Sequence, residues 1–266
     1  MASGPNVRDL FDMSGRVAIV TGGGTHLGTA MAEAIGELGG TVVLASRRLE
    51  VCEEAAAGLG EQGLDAHAAR CDATDEADVQ SLVDGVMEKH GRLDVMLCNA
   101  GGSPADDDTP NADVAKFREA VGMNINSTFI CAQTAARVMI GQGGGKIITI
   151  GSTHGIMGTD KRLYEGLGHK RSSIGYFAAK GGVVNLTRAL AAEYGEHNIT
   201  VNCLSPGQIP KPTVKPTMVE RMRLRQPIQR SGQPKDLKGA VALLASPAGD
   251  WITGLNLLVD GGWSTF

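Results

Sequence analysis

Short apolar runs rich in valine and isoleucine recur along the chain, at residues 16–20, 41–45, 95–98, 146–150, 199–204 and 255–259. Between them, Thr25 to Leu38, Arg48 to Leu59, Glu76 to His90, Ala112 to Met139 and Ser173 to Tyr194 carry apolar residues at helical spacing. A strand that is apolar throughout is buried on both faces, as in a parallel sheet, and parallel strands need long, usually helical crossovers. The alternation therefore predicts an α/β fold, a doubly wound parallel sheet with helices on both faces. A chain of 266 residues suits a single domain built on one such sheet. Residues 1–9 read as a loose terminus. The Pro-broken stretch 206–216 reads as a mobile loop, and the segment 206–226, helical in spacing after Pro216, as a lid.

Composition narrows the partners. The net charge of −4 has its signs interspersed, and aromatic residues make up only 4% of the chain, so neither a polyanion field nor a base-stacking platform is indicated. A small molecule fits better than nucleic acid. The N-terminal segment lacks a signal-peptide pattern and no apolar run approaches the ~18 residues of a membrane span, so no membrane partner and a cytoplasmic location are expected. Five cysteines with no CxxC pair argue against a disulfide framework or a zinc site. His67 and Cys71 alone are too few ligands for a metal, and none is expected.

The first strand runs into Thr21, Gly22, Gly23, Gly24, Thr25, His26, Leu27 and Gly28 and then directly into a helical pattern. A glycine-rich turn at a helix N-terminus offers unpaired N–H groups and a positive dipole end to a pyrophosphate. Taken alone, it has an equally simple reading as a tight structural turn. The second strand ends in Ser46, Arg47 and Arg48, where a dinucleotide fold meets the adenosine ribose. An acidic residue there would favour a free 2′-hydroxyl. Two guanidinium groups instead favour a 2′-phosphate, hence NADP(H), with NAD(H) still possible.

From here the chain resembles the short-chain dehydrogenase/reductase family over nearly its whole length. The landmarks are the Thr21 to Gly28 turn, Asp72 after the third strand, Asn99-Ala100-Gly101 after the fourth, Asn124 in the next helix, Ser152 after the fifth, Tyr176 to Lys180 (YFAAK), and Pro206-Gly207 after the sixth. The resemblance implies a Rossmann-like fold and hydride transfer between a nicotinamide dinucleotide and an alcohol/ketone pair. It also implies that Tyr176 is the acid/base and that Ser152 holds the reacting oxygen. Lys180 would bind the nicotinamide ribose, and Asn124 would support a water relay behind it. Asp72 and Ala73 would meet adenine, Asn99 to Gly101 would line the cleft, and Pro206, Gly207 and Ile209 would lie at the carboxamide end. Homotetramers are usual in the family. On physical grounds Tyr176 and Lys180, four positions apart, share one side of a helix. A free phenol ionises near about pH 10. A unit charge ~4 Å away at an effective dielectric of ~20 is worth roughly 4 kcal/mol, enough to bring that phenol down toward neutrality.

Two features depart from the family pattern. His26 stands where the family turn has glycine. Ser152 and Tyr176 are 24 positions apart, about twice the usual separation, and the excess falls in 158–172. That insertion contains Asp160, Lys161, Arg162, Tyr164, Glu165, His169, Lys170 and Arg171, leaves the active-site strand and returns at the active-site helix, and is expected to border the substrate mouth. His154, Tyr164 and Gln208 are candidate substrate residues. A polar, cationic rim suits a hydroxylated or carboxylate-bearing substrate. The closing VDGGWSTF is similar to members acting on sugar acids and polyols, the gluconate 5-dehydrogenase kind. A 3-oxoacyl thioester reductase is the alternative within the class, and a cofactor-binding sensor or scaffold the alternative outside it. GSTHG is not a G-x-S-x-G elbow, so a serine hydrolase is set aside.

Overall fold

The computed structural model describes residues 4–104, 109–167 and 171–266. Seven strands, β1 (Val17–Thr21), β2 (Thr41–Ser46), β3 (Ala66–Arg70), β4 (Val95–Cys98), β5 (Gly145–Ile150), β6 (Ile199–Pro206) and β7 (Asn256–Val259), form one sheet in the order β3-β2-β1-β4-β5-β6-β7. Every pairing is parallel. The helices are α1 (Val7–Leu10), α2 (Leu27–Glu37), α3 (Leu49–Gly60), α4 (Glu76–His90), α5 (Val114–Val121), α6 (Ser127–Gln142), α7 (Ile174–Tyr194), α8 (Pro216–Arg225) and α9 (Lys238–Ala245).

The two-residue period of a strand explains the two layers. On β1, Val17 and Ile19 join one core with Val79 and Leu82 of α4, Cys131 and Met139 of α6 and Leu190 of α7. Ala18 and Val20 point the other way, into a core with Met31 and Ile35 of α2, Leu59 of α3 and Leu244 of α9. β4 divides in the same way, Met96 and Cys98 on one face and Val95 and Leu97 on the other. Since β1 lies between β2 and β4, the chain reverses its direction of travel across the sheet there, and the carboxyl ends of β1 and β4 open a crevice.

Four features differ from the sequence expectations or were absent from them. β3 has the sequence AHAAR, without valine or isoleucine, because it is a half-exposed edge strand. The helix expected over 112–139 breaks into α5, a π-helical segment Gly122–Asn126 and α6. At the break the Asn124 side-chain amide takes the Ala120 carbonyl at 2.8 Å, the acceptor that α-helical register would give to the backbone N–H of residue 124. The terminus expected to be loose carries a short helix, α1, opened by a capping box between Asn6 and Asp9. Helix α9, short and apolar, had no counterpart in the expected pattern. All five cysteines are free and buried. Among the described residues no helix is long and apolar enough to cross a membrane.

Candidate active site

The crevice begins at the turn between β1 and α2. Gly22 has φ 64°, and a Cβ on Gly28 would lie 2.1 Å from the Gly22 carbonyl oxygen, so α2 can start this close to β1 only with glycine there. Asn99 fixes the turn to β4. Its Nδ2 donates to the carbonyls of Thr21 and Gly22, both at 3.0 Å, while the amides of Asn99 and Ala100 donate to Thr21 Oγ1, both at 3.1 Å. Among the described residues the amides of Gly24, Thr25 and His26 have no hydrogen-bond acceptor. Together with the N-terminus of α2 they make a cradle of the kind that receives phosphate.

His26 holds φ 49° and ψ −111°, a region that glycine enters freely and other residues enter at a cost of about 1–3 kcal/mol. Its Nε2 donates to the Ile209 carbonyl oxygen at 3.3 Å. The turn thus reaches across to the loop after β6. Leu27, next in sequence, turns inward and packs against the apolar core beneath α2.

On one side of the turn lies a cavity of about 340 Å³ lined by Gly22, Thr25, Ser46, Arg47, Arg48, Asp72, Ala73, Ala100 and Gly101, all expected from the sequence. Gly24 of the same turn also lines it, and Ala45, Val51, Cys71, Thr74, Met123 and Ser127, which no binding motif marked, complete it. Among the described residues neither Arg47 nor Arg48 has an ion-pair partner. Arg47 helps hold the Asp72 carboxyl below its ordinary value, after the stronger effect of the Thr74 hydroxyl and amide. Ser46 faces inward, its hydroxyl donating to the Arg48 carbonyl at 2.8 Å.

On the other side lies a pocket of about 250 Å³ lined by Ser152, Tyr176, His154, Gly207, Gln208 and Ile209, with Gly102, Ser103, Thr153, Ser172 and Pro210. Pro206 ends β6 beneath it. Ser152 is buried, and its Oγ accepts the His154 amide at 3.1 Å. His154 packs on Phe177 at 4.4 Å and edge-on to Tyr176 at 6.0 Å between ring centroids. Burial pushes its imidazole down to about 4, so it is neutral at neutral pH.

Tyr176 and Lys180 share one face of α7, as their spacing requires. The Lys180 ammonium is 5.6 Å from the Tyr176 ring centroid, but it donates to the Ile150 carbonyl at 2.7 Å rather than to the phenol. Burial therefore dominates, pushing Tyr176 above its ordinary value, against a smaller lowering by the Ser152 hydrogen bond. This reverses the expectation that the ammonium brings the phenol toward neutrality. Burial also pulls Lys180 down to about 8. At neutral pH the pair is a protonated phenol beside an ammonium. Asn124, also buried, acts on the neighbouring loop: its Nδ2 donates to the Gly102 carbonyl at 2.8 Å and its Oδ1 accepts the Gly102 amide at 3.3 Å.

Among the described residues the insertion meets the pocket at Ser172 and not through a cation. Ser172 lines the pocket, whereas Arg162 is held by Asp160 at 2.8–2.9 Å. Tyr164 does not line it. It packs with Leu163, Leu167 and Val214 against Met218, Met222 and Trp263 under α8. Arg221 of α8 donates to the carbonyls of Arg162, Leu163 and Glu165, and Lys215 to that of Leu167. Sequence gave no sign of this tie, which joins residues more than 45 positions apart. His169 and Lys170 lie outside the described residues. Among those described, no charged side chain lines the pocket.

A family model described as enoyl-(acyl carrier protein) reductase matches residues 24–264. The 7alpha-hydroxysteroid dehydrogenase of Escherichia coli K12 is 33% identical over 259 residues, 96% of each chain. The chain belongs to the short-chain dehydrogenase/reductase family. Among solved structures, a gluconate 5-dehydrogenase from Burkholderia cenocepacia in complex with NADP and tartrate superposes with a TM-score of 0.87 at 28% identity, covering 98% of this chain and 100% of that one. A 7alpha-hydroxysteroid dehydrogenase complexed with NADH and 7-oxo glycochenodeoxycholic acid gives 0.85 at 32%, covering 97% and 98%. Membership makes this chain an oxidoreductase of the nicotinamide-dependent kind.

Because Lys180 titrates at about 8, its charge is present below that pH and lost above it. Ketone reduction is expected to fall as pH rises through about 8. Replacing Lys180 with Met should lower the rate and flatten that limb in a pH–rate profile; a wild-type profile level to well beyond pH 9 would contradict the assignment.

Proposed function

We propose that this chain is an NADP(H)-preferring reductase and dehydrogenase of a small hydroxylated ketone/alcohol pair, with Tyr176 as the proton-transferring residue. The observation that carries this reading is the juxtaposition of a protonated phenol and the Ser152 hydroxyl in one pocket, with a buried ammonium one helical turn from the phenol. The bound dinucleotide supplies or accepts the hydride. Tyr176 gives its proton to the carbonyl oxygen as charge develops there, and takes one back in the oxidising direction. Ser152 stabilises the same oxygen by hydrogen bonding. The Lys180 ammonium stabilises the phenolate that proton transfer leaves on Tyr176, and Asn124 keeps the Gly102 loop in place at the edge of the pocket.

The hydroxyls of Ser103 and Ser172, the amide of Gln208 and the neutral His154 suit a substrate bearing hydroxyl groups. Such groups favour a polyol or sugar-type ketone, and they supply no countercharge for a carboxylate. Residues 162–165 of the insertion are joined to α8 through Arg221, away from the residues that line this pocket.

The preference for NADP(H) rests on the unpaired guanidinium groups of Arg47 and Arg48 at the ribose end of the larger cavity. Association into a homo-oligomer, a tetramer as is usual in the family, is favoured by β7. It is an edge strand with Leu258 exposed, and such an edge is a liability unless something covers it, here a second copy. Five free, buried cysteines suit the reducing cytoplasm.

Tyr176→Phe should reduce turnover at least about 100-fold while leaving dinucleotide affinity nearly unchanged; a variant that keeps most of its turnover contradicts the mechanism. Calorimetric titration should show tighter binding of NADPH than NADH. Arg47→Asp should reverse the order, and an unchanged ratio would remove Arg47 from the phosphate-reading role.

A further inference from the structure

His26 is the one residue of the turn whose side chain crosses the cleft. Gly22, Gly24 and Thr25, beside it, line the adenosine-side cavity, whereas Ile209, to which its ring is bonded, lines the pocket of Tyr176 and Ser152. The two cavities adjoin, Gly101 lining the first and Gly102 the second. A dinucleotide is one continuous molecule. With its adenosine beside Arg47 and its nicotinamide beside Tyr176, it must pass the turn, where the free amides of Gly24 to His26 face its phosphates. The imidazole ties the turn beside the first cavity to the Ile209 carbonyl beside the second.

Resting on the nicotinamide reading above, we infer that His26 sets the affinity of the cofactor site by competition: the dinucleotide displaces its ring from Ile209 to reach Tyr176. The contact is built for displacement. It is a single hydrogen bond at the long end of the normal range, 3.3 Å, made by a part-exposed ring. The backbone beneath it already sits in a glycine conformation, so the ring can swing away without the turn having to rearrange. The residue type that removes both the ring and the strain is glycine. Alanine removes the ring but keeps the Cβ.

The test is calorimetric titration of wild type, His26→Gly and His26→Ala with NADPH and with NADH, joined to stopped-flow association and to thermal unfolding of each protein alone. Both variants should unfold cooperatively. Both should bind each nucleotide roughly ten-fold more tightly than wild type, the worth of one modest hydrogen bond and the steric relief that follows. The gain should appear as faster association, and the ratio of NADPH to NADH affinity should not change, because the Arg47 end is untouched. Weaker binding by the variants would overturn the inference and assign the ring to gripping the phosphates. Equal binding would overturn it too and make the ring a bystander. Failure of wild type and both variants to bind either nucleotide would sink the nicotinamide reading itself, and this inference with it.

Discussion

The junction of β1, β4 and α2 is the point on which the site depends. Thr21 and Asn99 lock the ends of the two central strands together through four hydrogen bonds, and the absence of a side chain on Gly28 lets the first turn of α2 sit against the Gly22 carbonyl. The positive end of α2 is thereby aimed along the crevice. Both cavities take their position from this junction. One opens past Gly22 toward Arg47 and Asp72, the other past Gly102 toward Ser152 and Tyr176. Any side chain at residue 28 would push α2 off the sheet and misalign the two ends at once.

The reacting end is held by a second set of contacts that converge from three elements. The π-helical segment frees Asn124 from the helix ladder to grip Gly102, α7 delivers Tyr176 and Lys180 on one face, and the turn after β5 delivers Ser152 with its oxygen fixed by the His154 amide. Low solvent access then sets the chemistry. It keeps Tyr176 an acid, keeps His154 neutral and brings Lys180 close to the working range of pH. Outside these residues, residues 162–167 of the insertion share one apolar cluster and four hydrogen bonds with α8 and its N-cap Lys215.

The sequence announces those parts whose neighbours are local or whose chemistry is rare. β1 and β4 are legible because strands buried on both faces have no polar alternation, and Tyr176 with Lys180 because helical spacing alone aligns them. β3 is hard to see because an edge strand of alanines and a histidine carries no valine-rich run. The break before α6 is hidden because apolar spacing continues through Asn124, whose side chain competes for one carbonyl only after the Gly102 loop has been brought beside it. Tyr164 looked like a substrate residue because it sits in a polar insertion; the Met218–Trp263 cluster that claims it comes from the far end of the chain. The acidity of Tyr176 has the same origin, since spacing gives the lysine's place but not the burial or the Ile150 carbonyl that takes its ammonium.

The central claim is that the two cavities are two ends of one cleft in which hydride reaches a carbonyl carbon beside Tyr176. It is tested most directly by isotope transfer, incubating the protein with a hydroxylated ketone and with each of the two C4-deuterated epimers of NADPH in turn, and analysing the alcohol by mass spectrometry. The account predicts that one epimer, and only one, delivers its deuterium to the new carbinol carbon. Alcohol without label from either epimer, or no nucleotide-dependent alcohol from any ketone of this class, would contradict it.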